Sequence, residues 1–174
     1  MLVGRGDEEV GVDFAAVWCD AREFERALDA GRPDEALALY RGHFLEGFHV
    51  SGVAPELGQW LDEERARLRA RAVAAAAGLA DEAERGGNCA LAAQRLRDVL
   101  RIDPGAEPSL RRLMLLLHQD GDRAGALRVY DEFARRLATE IEAEPAADTA
   151  ALAERVRNGR ETTSAAAPRA AGPP

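Results

Sequence analysis

Lysine is absent from this chain, and all 23 basic residues are arginine. With abundant alanine, that pattern reflects the codon usage of a GC-rich genome rather than chemistry. Cysteine is nearly absent. Cys19 and Cys89 are too few for a disulfide framework or a zinc site, and are expected to be small buried apolar residues. No apolar run approaches the ~20 residues that span a bilayer, and Ala74 to Ala77 is far shorter. Met1-Leu2-Val3 passes directly into Gly4, Arg5 and three acids, unlike a signal peptide, so the expected compartment is the cytoplasm. Excess positive charge is missing too. The formal net charge is −8, so the chain alone is expected to be a poor non-specific nucleic-acid binder. Walker loops, Gly-x-Ser-x-Gly elbows and His-Glu-x-x-His motifs are all lacking, and no catalytic or cofactor residue is assigned.

What is present is helical pattern. The 174 residues, 47% hydrophobic, suit one domain with appendages. Residues 1–19 are mixed and rich in Gly and Val, residues 20–157 carry helical periodicity, and residues 158–174 have none and read as a disordered tail. Asp20 is expected to cap a helix through Ala30, and Pro33 to open the next. Pro55 begins a long helix to Arg85 with the inward stripe Leu57, Trp60, Leu61, Leu68 and Leu79. Asn88 caps the following helix, Pro108-Ser109 opens another, Asp122 caps the next, and a last helix covers Ala147 to Arg157. Nothing in 20–157 alternates with period two, which predicts an all-α class.

The helix pairs repeat. Gly31, Ala36 and Tyr40 match Gly87, Ala92 and Leu96, and again Gly121, Ala126 and Tyr130. Each reads Gly, Ala five later, and a bulky residue four after that. Gly87 and Gly121 stand at the tetratricopeptide period. Gly suits the tight turn of a helical hairpin, small Ala lets its helices approach, and the bulky residue fills the gap one turn on. The pattern predicts a tetratricopeptide-like array of helical hairpins, which binds partners rather than performing chemistry.

Residues 13–157 resemble the bacterial transcriptional activator domain, the helical module of Streptomyces antibiotic regulatory protein-type activators. The resemblance lies in Val17-Trp18-Cys19-Asp20 with Phe24-Glu25, Leu39-Tyr40-Arg41-Gly42 with Phe44-Leu45, and Glu63-Glu64-Arg65 with Leu68-Arg69. It continues in Leu113-Met114, Gly121, Ala126-Leu127, Tyr130, Leu137, Glu142 and Glu144-Pro145. It implies a winged helix upstream. Residues 1–19 would hold at most its last piece, a β wing remnant around the turn Gly4-Arg5-Gly6-Asp7. Arg5 at that tip is the single candidate nucleic-acid contact, since a wing tip can reach the minor groove.

The resemblance implies a non-enzymatic regulatory module acting through protein contacts, with RNA polymerase, a partner regulator or a second copy as a homodimer. DNA is reached only indirectly or through a separate winged-helix domain, and no membrane, metal or cofactor is expected. The rival reading is a general tetratricopeptide-like adaptor unrelated to transcription. A weaker one is a metal site from His43, Glu46 and His49. His118 is expected to act at a helix C-terminus. Arg65, Arg67, Arg69 and Arg71 spread over more than one helical face, with Asp62–Arg65 and Glu63–Arg67 as expected surface ion pairs rather than a nucleic-acid stripe.

Overall fold

The computed structural model describes residues 2–5, 9–12, 17–48, 55–140 and 142–159, with backbone alone for 2–5, 9–12 and 140. Strands β1 (Leu2–Arg5) and β2 (Glu9–Val12) pair antiparallel, with Leu2 opposite Val12 and Arg5 opposite Glu9. The rest of the described secondary structure is all-α. Its helices are α1 (Asp20–Asp29), α2 (Pro33–Leu39), α3 (Pro55–Arg85), α4 (Cys89–Ile102), α5 (Glu107–Gln119), α6 (Arg123–Glu140) and α7 (Ala147–Arg157). The expected tail falls almost wholly outside the described residues; Asn158 and Gly159 form a turn after α7. The chain divides into two compact units, Met1–Asp103 and Pro104–Pro174.

In the first unit α1 packs on α2, α2 on α3, and α3 on α4. In the second, α5 packs on α6, and α7 packs on both. The hairpins α1/α2, α3/α4 and α5/α6 close in one way. Gly31, Gly87 and Gly121 lie at φ +70°, +72° and +83°, a left-handed conformation that costs a side chain with a Cβ about 1–2 kcal/mol. The residue after each glycine donates its N–H five residues back: Arg32 to Ala27 at 2.9 Å, Asn88 to Ala83 at 2.8 Å, Asp122 to Leu117 at 2.8 Å. This linkage satisfies a helix-end carbonyl and turns the chain back on itself. The next helix starts at once. Pro33 occupies its first turn, Asn88 Oδ1 accepts the Leu91 N–H at 3.0 Å, and Asp122 Oδ1 accepts the Gly125 N–H at 2.7 Å.

The alanines of the repeat are the close contacts. Ala36, Ala92 and Ala126 are fully buried, and so are Ala72, Ala76 and Ala80, one turn apart on α3. Phe24, Leu61, Leu68, Leu96, Val99 and Ile102 fill the first unit. Leu110, Leu113, Met114, Phe133, Leu152 and Val156 fill the second. Among the described residues Thr149 is the buried polar exception. Its hydroxyl donates to Glu107 at 2.5 Å and accepts from Arg111 at 2.9 Å, while the Glu107 carboxylate also takes the Ala146 N–H at 3.0 Å. One carboxylate on α5 thus serves the start of α7.

Some sequence expectations differ from the structure. Asp20 is the first helical residue rather than the cap; Cys19 precedes it and makes no side-chain capping bond. Cys89 is exposed and Cys19 half-buried, because Cys89 opens α4 before the helix has turned a face inward. Leu57 and Trp60 lie exposed although Leu61 and Leu68 on the same stripe are buried. At 1.5 Å per residue α3 runs about 46 Å and α4 about 21 Å, so the hairpin partner covers only the second half of α3.

Candidate functional site

The first half of α3 meets the segment 41–48 that leaves α2. Arg65 holds this segment with a guanidinium fork: Nε donates to the Phe44 carbonyl and Nη2 to the Leu45 carbonyl, each at 2.9 Å, and Nη1 to Asp62 at 3.1 Å. Three donors in one plane suit two successive carbonyls and a carboxylate, which an ammonium cannot match. Within the segment, Leu45 stands at φ +48°, a conformation costly for leucine, and Gly47 at +74°. The Glu46 carboxylate lies 3.3 Å from the His43 N–H. The Tyr40 hydroxyl and His43 Nδ1 lie 3.1 Å apart, and the Tyr40 ring tilts against Phe24 with centroids 5.6 Å apart. Burial pushes the Tyr40 phenol above its ordinary value; the Arg69 charge pulls it down and Glu46 pushes it up. Beside these groups a cavity of about 470 Å³ opens, floored by Phe24, Leu39 and Leu68 and edged by Phe44 and Leu45. A smaller one of about 320 Å³ is lined by His43, Glu46, Asp62, Arg65 and Arg69.

The arginines of α3 have mostly structural partners. Arg67 pairs with Glu64 at 2.7 Å and with Glu25 on α1 at 2.5 Å; Arg71 pairs with Glu25 at 2.8 Å and with Asp29. The expected Asp62–Arg65 pair forms. The expected Glu63–Arg67 pair does not, because Glu25 and Glu64 take the guanidinium, and Glu63 instead accepts from the Gln59 amide at 2.9 Å. The Arg67 hydrogen bond holds the Glu25 carboxyl below its usual range; burial opposes this and Arg71 reinforces it. Glu25 and Glu64 in turn raise Arg67.

An aromatic face lies next to this network. Phe44 and Trp60 meet edge to face, centroids 6.2 Å apart at 82°. Trp60 is 48% exposed, Phe48 46% and Leu45 43%, and Leu57 is exposed beside them. Trp18, ahead of α1, is 71% exposed. The sequence pattern puts Leu57 and Trp60 in the core and assigns Arg65 no tertiary role. The signal available was the Gly42–Gly47 bracket, which marks an irregular segment needing an anchor.

The other candidates fall as follows. Arg5 ends β1, and its side chain lies outside the described residues, as does all of His49. Among the described residues no three of His, Cys, Asp and Glu gather as metal ligands, and no helix is long and apolar enough to cross a membrane. His118 lies in the last turn of α5, where its carbonyl accepts the Gly121 N–H at 3.1 Å.

Repeated hairpins closed by left-handed glycines, with a pinned loop at one helix end, define a helical-hairpin protein. The sequence model of the bacterial transcriptional activator domain matches residues 13–157, most of the chain, and the chain belongs to that family. No curated protein matches it.

Proposed function

We propose that the chain is a transcription-regulatory module that works through protein contacts and performs no chemistry of its own. The contact is with RNA polymerase, a partner regulator or a second copy. The observation that carries this reading is the activator-domain match, which spans the whole helical body from before α1 to the end of α7. The three hairpins support a tetratricopeptide-like description, since each combines a left-handed glycine with a buried alanine five residues later. DNA is reached indirectly. The ribbon β1–β2 is read as the end of a wing, with Arg5 as its one contact, and a separate winged helix reads the promoter. The compartment is the cytoplasm, where transcription takes place.

A tethering experiment tests the reading. The full chain is fused to an unrelated bacterial DNA-binding domain whose operator lies upstream of a weak reporter promoter. The fusion should raise reporter output several-fold over the DNA-binding domain alone. Equal output from both would contradict a module that activates by protein contact.

A further inference from the structure

We propose that the aromatic face at the start of α3 is a docking surface for a basic amphipathic helix of a partner protein. This rests on the protein-contact reading and deepens it by naming the surface and the partner's chemistry. The apolar stripe of α3 continues past its own cover: Leu61 and Leu68 are buried, whereas Leu57 and Trp60, on the same side of the helix, stand in solvent. Scattered apolar residues are ordinary on a surface, but here Leu45, Phe48, Leu57 and Trp60 are all exposed on the two segments that the Phe44–Trp60 edge-to-face pair joins. Tryptophan is the side chain most enriched among residues that dominate binding energy. The face is also ordered in advance. Arg65 grips two successive carbonyls of the segment and holds Leu45 in its left-handed conformation, so little freedom is left to lose on binding. Phe44 and Leu45 also edge the 470 Å³ cavity, whose apolar floor of Phe24, Leu39 and Leu68 can receive a large anchor side chain. A face with an adjoining pocket suits a helix that presents apolar anchors three and four residues apart.

Charge selects among occupants. Asp62 and Glu64 are neutralised by Arg65 and Arg67. Glu56 and Glu63, four before and three after Trp60 on α3, are exposed and form no ion pair among the described residues; Glu63 holds only the neutral Gln59 amide. Arg69 lines the smaller cavity together with Glu46, and Arg41 borders the larger one, so neither lies beside Trp60 on α3. The edge of the aromatic face along Trp60 is therefore acidic. Two copies meeting face to face would oppose their acidic rims, on chains that each carry −8. A helix with lysine or arginine flanking its apolar stripe meets complementary charge.

The full chain carrying Trp18→Phe leaves Trp60 as its one tryptophan reporter. It is titrated with a synthetic leucine–lysine amphipathic helix, with a scrambled peptide of the same composition, and with the leucine–glutamate counterpart. The leucine–lysine helix should bind and shift Trp60 emission to the blue, and the two controls should bind about tenfold more weakly or worse. Raising salt from about 0.1 M to about 1 M should weaken the complex as the rim charges are screened. Leu57→Ser should cost about tenfold in affinity, the loss expected for an apolar anchor at a small contact. Glu56→Arg with Glu63→Arg should do the same without removing any apolar contact, and decides alone if Leu57→Ser loses its helical circular dichroism. Absence of binding, equal binding of the scrambled peptide, or indifference to the charge reversal would each overturn the proposal. So would a dimer by light scattering that Trp60→Ser dissolves, since a second copy would then own the face. The tethered reporter keeps the two readings apart. Activation that survives Trp60→Ser, with no peptide binding, removes this surface and leaves protein contact standing. A silent reporter with intact, variant-sensitive peptide binding does the reverse.

Discussion

Ala126 shows how much one methyl group decides. It is fully buried in α6, five residues after the left-handed Gly121, in the hairpin that α6 forms with α5. Leucine there has no room, and overpacking of this kind costs about 1–3 kcal/mol. Ala124, two residues earlier on the same helix, is exposed, and the same change there should alter stability by no more than about 0.5 kcal/mol. Thermal unfolding of Ala126→Leu and Ala124→Leu checks the pair; equal midpoints would misplace the helix contact. Glu25 makes a second prediction at this scale. Its carboxyl is held low in the folded protein, first by the Arg67 hydrogen bond. The unfolded chain therefore takes up that proton first as pH falls. The stability this contributes is fully present above the unfolded value of about 4.3 and is lost as pH drops through the lower folded value. Urea midpoints across that acidic window should fall less steeply in Glu25→Gln than in the parent. An identical slope would mean that the pair with Arg67 does not persist in solution.

At the scale of elements, the segment 41–48 depends on one side chain. Arg65→Lys keeps the charge but cannot donate to the Phe44 and Leu45 carbonyls and to Asp62 at once. Amide exchange over the segment should speed up while that of α4 is unchanged, and unchanged exchange throughout would deny the anchor. The helices themselves were legible from residues. The bounds of α3 and α7 coincide with those read from Pro55, Gly86-Gly87 and the pattern over Ala147 to Arg157, and Asn88 and Asp122 cap as expected. Caps and stops are local chemistry, so the sequence displays them. The extent of a helix's cover is not local. Periodicity shows that Leu57, Trp60, Leu61 and Leu68 share a side of α3, but not that α4 ends too early to shield the first two. The second partner of Arg67, beyond the near neighbour Glu64, was equally out of reach. Glu63 is also near in sequence, whereas Glu25, 42 residues away, is the neighbour in space. The pocket beside Phe44 was invisible for the same reason, since its walls come from α1, the segment after α2, and α3.

For the whole molecule, charge and family membership point the same way. The chain belongs to the bacterial transcriptional activator domain family, carries −8, and has its α3 arginines largely committed to internal carboxylates and carbonyls. A basic stripe able to follow a phosphate backbone is not what these arginines form. On the proposed reading this chain regulates through proteins and does not itself read DNA, and duplex binding puts that to the test. In an anisotropy titration of labelled duplex at about 150 mM salt, binding should be weak and indifferent to sequence. A single contact by Arg5 would give a salt slope near −1, against about −6 to −9 for a protein that neutralises six to ten phosphates. Sub-micromolar, sequence-selective binding by the isolated chain, with a steep salt slope, would contradict the account.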